Sequence, residues 1–241
     1  MQAPTLRDVY RAKKTIAPHI PRTPLHYSAG LSEMLDAEVY LKHEEYLPLG
    51  AFKGRGGINL LANLTEEEKQ RGLITASTGN HGQSVASAGK IFGVRVLIGL
   101  PENANPNKVA AMRALGAELI FHGDNFDAAR SHCERLAKEE GYRFVHPVND
   151  LLLIAGVGTQ ALETIEDLPD VQVLMVPLGG GSGVSGACVV AKGIDPSIEV
   201  LAVQSEQAPA GYLSWKKGKI VESEVATFAE GVATGSGYEL A

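Results

Sequence analysis

The chain has 241 residues, of which 44% are hydrophobic and 21% charged, with a formal net charge of −6. That much apolar material builds one large or two small cores, and a mildly acidic surface gives no electrostatic footprint for nucleic acid or anionic lipid. Cys133 and Cys188 are too few and too far apart for a disulfide framework, and a zinc site would need more ligands. No segment reaches the roughly eighteen unbroken apolar residues of a membrane span, and the N-terminus is amphipathic and charged, so we expect a cytoplasmic protein with no membrane partner.

In chain order, the apolar pattern predicts a first strand at Ala37–Leu41 and a helix near 53–64. The helix opens inside Leu49-Gly-Ala-Phe-Lys53-Gly-Arg-Gly-Gly57, where an aromatic and several glycines hem in a lysine. A desolvated lysine loses basicity and becomes an imine-forming nucleophile. On its own, Lys53 would read as an ordinary surface residue.

A strand at Leu73–Ala76 runs into Ser77-Thr78-Gly79-Asn80-His81-Gly82-Gln83, and a helix follows near 81–92. Small hydroxyl residues and glycines at a helix start leave backbone donors free for a carboxylate. The plain alternative is an N-cap, although capping alone does not require Gly-Asn-His-Gly in a row. Further strands are predicted at Val94–Ile98 and Glu118–Phe121, with helices near 105–115, 125–140 and 156–166.

The strand at Val173–Val176 leads to Gly179-Gly180-Gly181-Ser182-Gly183, a helix near 183–193 and a last strand at Glu199–Val203. Glycines let backbone amides approach an anion, and the helix N-terminus adds favourable potential, so this turn is a candidate phosphate cradle. It lacks the Walker Gly-Lys-Ser/Thr and the early placement of a dinucleotide fingerprint. His43, His81, His122, His132 and His146 are given ordinary structural roles. Asp124, Asp127, Glu163 and Glu166 read as solvated helix faces, and Trp215, Lys216 and Lys217 as a surface loop. Strand–helix alternation throughout predicts an α/β fold with parallel sheets flanked by helices.

Taken together, the three glycine-rich stretches in this order resemble the fold-type II pyridoxal-phosphate (PLP) enzymes, in the branch of the serine/threonine dehydratases and serine racemases. Further matches are Arg22-Thr-Pro-Leu25, Leu41-Lys-His-Glu44, Pro101-Glu102 followed by Lys108, Gly116-Ala-Glu118, Gly156-Val-Gly-Thr159 and Phe228-Ala-Glu-Gly-Val-Ala-Thr234, collinear over nearly the whole chain. The resemblance implies two interwoven lobes of the tryptophan synthase β kind: 1–46 plus 146–241 as the larger, and 47–145 as the smaller. It implies pyridoxal 5'-phosphate held by Lys53, with Phe52 packed beside it and Asn80 on the ring oxygen. The amides of Gly179, Gly180, Gly181, Ser182 and Gly183 would take the phosphate, and Ser77, Thr78, Gly79 and His81 the carboxylate of an amino-acid substrate.

The activity so implied is β-elimination from L-threonine or L-serine to a 2-oxo acid and ammonia, by a homodimer. Lys53 would move the Cα proton, and the cofactor phosphate would supply one to the leaving hydroxyl. Alternatives are a racemase, for which Thr78 would be the second base, a catalytically inactive paralogue, and a phosphate or nucleotide binder that uses the glycine turn alone. The sequence departs from the family where Leu47-Pro-Leu-Gly-Ala precedes Phe52, leaving polar positions apolar, and where Ser182 replaces a fourth glycine. Gln204 and Ala210 stand where a cation site would need carboxylates, and Glu206 is off register, so no metal and no Mg²⁺ activation are expected. Relatives also continue beyond Ala241 with the residue that meets the pyridine nitrogen; the expectation is a truncated form with weak cofactor binding and no regulatory domain.

Overall fold

The computed structural model describes residues 3–241. Helix α1 (Leu6–Ile16) starts where Thr5 accepts the Asp8 amide and the Asp8 carboxylate takes the Thr5 amide, a reciprocal cap that satisfies two otherwise orphaned donors. An antiparallel pair, β1 (Leu25–Tyr27) and β2 (Tyr40–Lys42), encloses α2 (Ala29–Leu35). Then come α3 (Lys53–Ala62), α4 (Glu66–Arg71), β3 (Leu73–Ala76), α5 (Asn80–Phe92), β4 (Val96–Leu100), α6 (Pro106–Ala114), β5 (Glu118–Phe121), α7 (Phe126–Glu140) and β6 (Arg143–Phe144). The chain continues through α8 (Leu151–Asp167), β7 (Val173–Pro177), α9 (Ser182–Ile194), β8 (Glu199–Val203) and α10 (Ala210–Lys217).

A four-stranded parallel sheet has the order β5-β4-β3-β6. Every residue of β3 and β4 is buried, the pattern of parallel strands covered on both faces. A second parallel pair, β7 and β8, packs its Leu174 and Val200 side on α9 and α1 in a separate core. The fold is therefore α/β, with parallel sheets flanked by helices. No helix among the described residues is long and apolar enough to cross a membrane.

Helix α3 packs against α5 on one side and α8 on another. The approach to α8 is too close for side chains. A Cβ on Gly156 would stand 2.6 Å from the Arg55 carbonyl oxygen and 2.8 Å from Gly56 Cα.

Several boundaries differ from expectation for local reasons. Strand β4 begins at Val96 rather than Val94, because the Val94 amide closes the end of α5 on the Gly89 carbonyl. Strand β2 begins at Tyr40 rather than Ala37, because the Ala37 amide is taken by Ser32 at the end of α2. Helix α8 begins five residues earlier than predicted, capped by Asp150, whose carboxylate accepts the Leu152 and Leu153 amides. Trp215, Lys216 and Lys217 form the last turn of α10 rather than a loop, although Trp215 is 79% exposed. Glu163 is no solvated residue: it is 5% exposed.

Candidate active site

Strand β7 extends its ladder by one bond, Leu178 amide to Val203 carbonyl, and then enters the glycine turn. Gly181 has φ +100°, a conformation side chains rarely adopt, and a Cβ on Gly180 would meet Val148 Cγ2 at 2.7 Å. Helix α9 starts immediately afterwards at Ser182. Among the described residues, no group accepts a hydrogen bond from the amides of 179–183. Five free amides at a helix N-terminus are donors of the kind that an anion accepts.

Lys53 is the first residue of α3, and its Nζ donates to Ser182 Oγ at 2.6 Å. The Phe52 ring lies beside it, with its centroid 5.3 Å from Nζ and its Cζ 3.3 Å from where a Gly183 Cβ would stand. No carboxylate among the described residues pairs with the amine. The residue is partly buried and its amine end enclosed, and this burial brings the pKa down to about 8. Roughly a tenth of the amine is therefore uncharged at pH 7, far more than for an ordinary lysine.

The second turn leaves β3 at Ala76. Ser77 Oγ accepts the Gly79 and Gly82 amides at 3.2 and 3.0 Å, so this hydroxyl shapes the turn. The Thr78 and Asn80 side chains have no partner among the described residues; Thr78 is partly buried and Asn80 exposed. His81 is buried, with Nε2 3.0 Å from Thr75 Oγ1. Since that hydroxyl donates to the Val145 carbonyl at 2.7 Å, it accepts from His81, which fixes the proton on Nε2. Burial, reinforced by the nearby Lys53 charge, brings the His81 pKa down to about 3. Its ring is a neutral structural group, as the sequence suggested, and only its amide remains free to meet a ligand.

A charge cluster that sequence reasoning missed lies behind Lys53. Arg55, fully buried on α3, reaches Glu44 at 2.7 and 2.8 Å and Glu163 at 2.7 and 2.9 Å. Lys42 adds a 2.7 Å bond to Glu163, while Thr23 bonds Glu44 and Thr159 bonds Arg55. Burial alone would raise the Glu163 carboxyl, but the Arg55 and Lys42 contacts outweigh it and hold the pKa below the usual range. Three stretches that carried the resemblance, around Arg22, Glu44 and Thr159, converge here; a polar residue recurring in each was the available signal. Beside the glycine turn, Lys108 pairs with Glu230, joining two more such stretches.

An enclosed, carboxylate-free amine that touches a turn of free amides is the arrangement of an enzyme that captures a phosphorylated aldehyde. The family described as pyridoxal-phosphate dependent enzyme matches residues 16–241, and the chain belongs to it. L-threonine ammonia-lyase of Thermotoga maritima is 44% identical over 230 residues, covering 95% of this chain and 57% of its own length. A catabolic L-threonine dehydratase of Staphylococcus aureus is 40% identical over 229 residues, covering 94% of this chain and 66% of its own. The chain thus spans less than two thirds of these curated relatives. The structure of maize serine racemase superposes with a TM-score of 0.94 at 32% identity, over 99% of this chain and 73% of that one.

Proposed function

We propose that this chain carries the active site of a PLP-dependent ammonia-lyase, which eliminates the β-hydroxyl of L-threonine or L-serine and yields a 2-oxo acid and ammonia. The observation that carries the reading is the low-pKa Lys53 amine 2.6 Å from the first residue of the helix behind the glycine turn. The L-threonine ammonia-lyase and dehydratase activities for which the two relatives are named support it.

The residues present fit the cofactor: Lys53 would hold its aldehyde end, the free amides of 179–183 its phosphate, and Phe52 would flank it. When bound, pyridoxal phosphate supplies an electron sink for the charge left at Cα as its proton departs. Lys53, with a pKa near neutrality, is suited to take that proton and return one. The free amides of Thr78, Asn80 and His81, at the start of α5, are suited to a substrate carboxylate. Asn80 has its side-chain amide available for the ring oxygen. The reading includes a homodimer, a cytoplasmic location and the division into lobes 1–46 with 146–241 and 47–145.

The test is spectroscopic and then catalytic. The protein is mixed with pyridoxal phosphate, reduced with borohydride and mapped by peptide; the label should fall on Lys53 and vanish in Lys53→Ala. L-Threonine should then give 2-oxo acid. Label on another lysine would sink the site assignment.

A second reading, an amino-acid racemase, is favoured by the match to the maize enzyme and by the unpartnered Thr78 hydroxyl at the start of α5. D-Serine formed faster than 2-oxo acid from L-serine would establish it, and Thr78→Ala should then abolish it.

A further inference from the structure

Ser182 is 2% exposed, and it stands where α9 begins, amid the free amides of the turn. Its oxygen receives Lys53 Nζ at 2.6 Å. Among the described residues nothing accepts the hydroxyl's own proton. Buried donors left without an acceptor are rare in folded proteins, and the space around a helix N-terminus is where an anion would supply one. A glycine at this position would offer its amide alone. Serine therefore adds a lone pair for the amine and a proton for an anion, on one atom.

We propose that Ser182 is a positioning residue that joins the two ends of the cofactor site. Its Oγ holds the Lys53 amine whenever that amine is free, and its proton is donated to the phosphate of pyridoxal phosphate when the cofactor is bound. The inference rests on the reading that Lys53 and the glycine turn hold this cofactor. Since the phosphate draws on the same hydroxyl that steadies the amine, filling the anion site makes Oγ a better acceptor and keeps the freed lysine beside its partner.

The experiment uses two probes that Lys53 cannot capture covalently because they carry no aldehyde: pyridoxine 5'-phosphate and pyridoxine. Binding is followed by fluorescence for wild type, Ser182→Ala and Ser182→Thr. A lost hydrogen bond to a charged group corresponds to about tenfold or more in affinity. Ser182→Ala is therefore expected to bind pyridoxine 5'-phosphate about tenfold more weakly, with pyridoxine binding unchanged and Ser182→Thr close to wild type. As a readout that a merely structural role would not move, the pH midpoint for borohydride-trapped capture of phosphate-free pyridoxal should fall in Ser182→Ala, because the ammonium form loses its acceptor.

Equal affinity of wild type and Ser182→Ala for the phosphorylated probe overturns the proposal, and so does an equal loss for both probes. If wild type captures pyridoxal phosphate at Lys53 and Ser182→Ala nevertheless matches it throughout, this inference alone fails. If wild type captures no pyridoxal phosphate, the reading of the site fails and takes the inference with it.

Discussion

Replacing Glu163 by glutamine removes one of the two carboxylates that face Arg55 and Lys42 in the buried cluster. The intact group is neutral, with two cations and two anions; the variant leaves one positive charge uncompensated. Arg55 is 0% and Glu163 5% exposed, so solvent cannot take over the lost interaction. Breaking a buried pair in this way costs about 3–5 kcal/mol, a large share of the roughly 5–15 kcal/mol that holds a typical domain folded. At about 2–4 °C per kcal/mol for a chain of this size, the melting point should drop by roughly 6–20 °C. Urea unfolding followed by circular dichroism gives the free energy. The loss should persist in 1 M salt, because buried pairs are poorly screened. Adding Arg55→Met removes the stranded cation, so the double variant should lose less than the sum of the two single losses. A cost below about 1 kcal/mol, or one erased by salt, would show that the cluster does not carry the load assigned to it.

Gly156→Ala forces a methyl group against the Arg55 carbonyl and Gly56, so α3 must shift; we expect a loss of several kcal/mol by urea unfolding and weaker cofactor capture at Lys53, whereas wild-type values for both would contradict the packing described. The Lys53 pKa is about 8 when folded against an ordinary 10.5, so below pH 8 both states hold the proton and the folded one does so at a cost. That cost fades as pH rises from 8 to 10.5, where the unfolded chain holds the proton and the folded one loses it. Without cofactor, Lys53→Met should therefore be more stable than wild type at pH 7, and the gap should close toward pH 10.5 in urea titrations; an unchanging gap would refute the assignment. His81 is kept neutral down to a pKa of about 3 against an ordinary 6.5, so stability should fall as pH drops from 6.5 toward 3, where only the unfolded chain gains the proton. In His81→Gln that part of the acid slope should disappear from denaturation midpoints measured across this range.

The turns were legible because glycine acts locally. Gly181 sits in a conformation that sequence can flag, and β3 and β7 both end at glycine-rich turns that open helices, as their patterns indicated. The cluster was not legible, and Glu163 shows why. It lies three residues before Glu166 on the same helix, and both looked solvated. Glu166 does sit at the rim, pairing with Lys13 and Arg22, whereas Glu163 is covered by Thr23 and Lys42, more than a hundred residues away in sequence. Local periodicity cannot separate two positions so nearly in line; only the strand that folds over one of them does. The Lys53–Ser182 contact spans 129 residues, and composition and spacing alone held no sign of it.

Helix α3 brings these observations together. It has no side-chain cap at Phe52, and three of its first five residues are glycine, each about 1 kcal/mol less favourable in a helix than alanine. Left to its own propensity, this segment would be a poor helix with a frayed start, which is where Lys53 lies. What secures that start comes from elsewhere in the fold: Ser84 Oγ donates to the Lys53 carbonyl at 2.6 Å, and Arg55 fastens the first turn to α8 and Glu44. The same glycines that weaken the helix permit the close approach to Gly156, so the weakness and the anchoring have one origin. The position of the amine is thus a property of the surrounding helices, and a change in the charge cluster or at the α3–α8 crossing should alter cofactor capture even where no residue that touches the cofactor has been replaced.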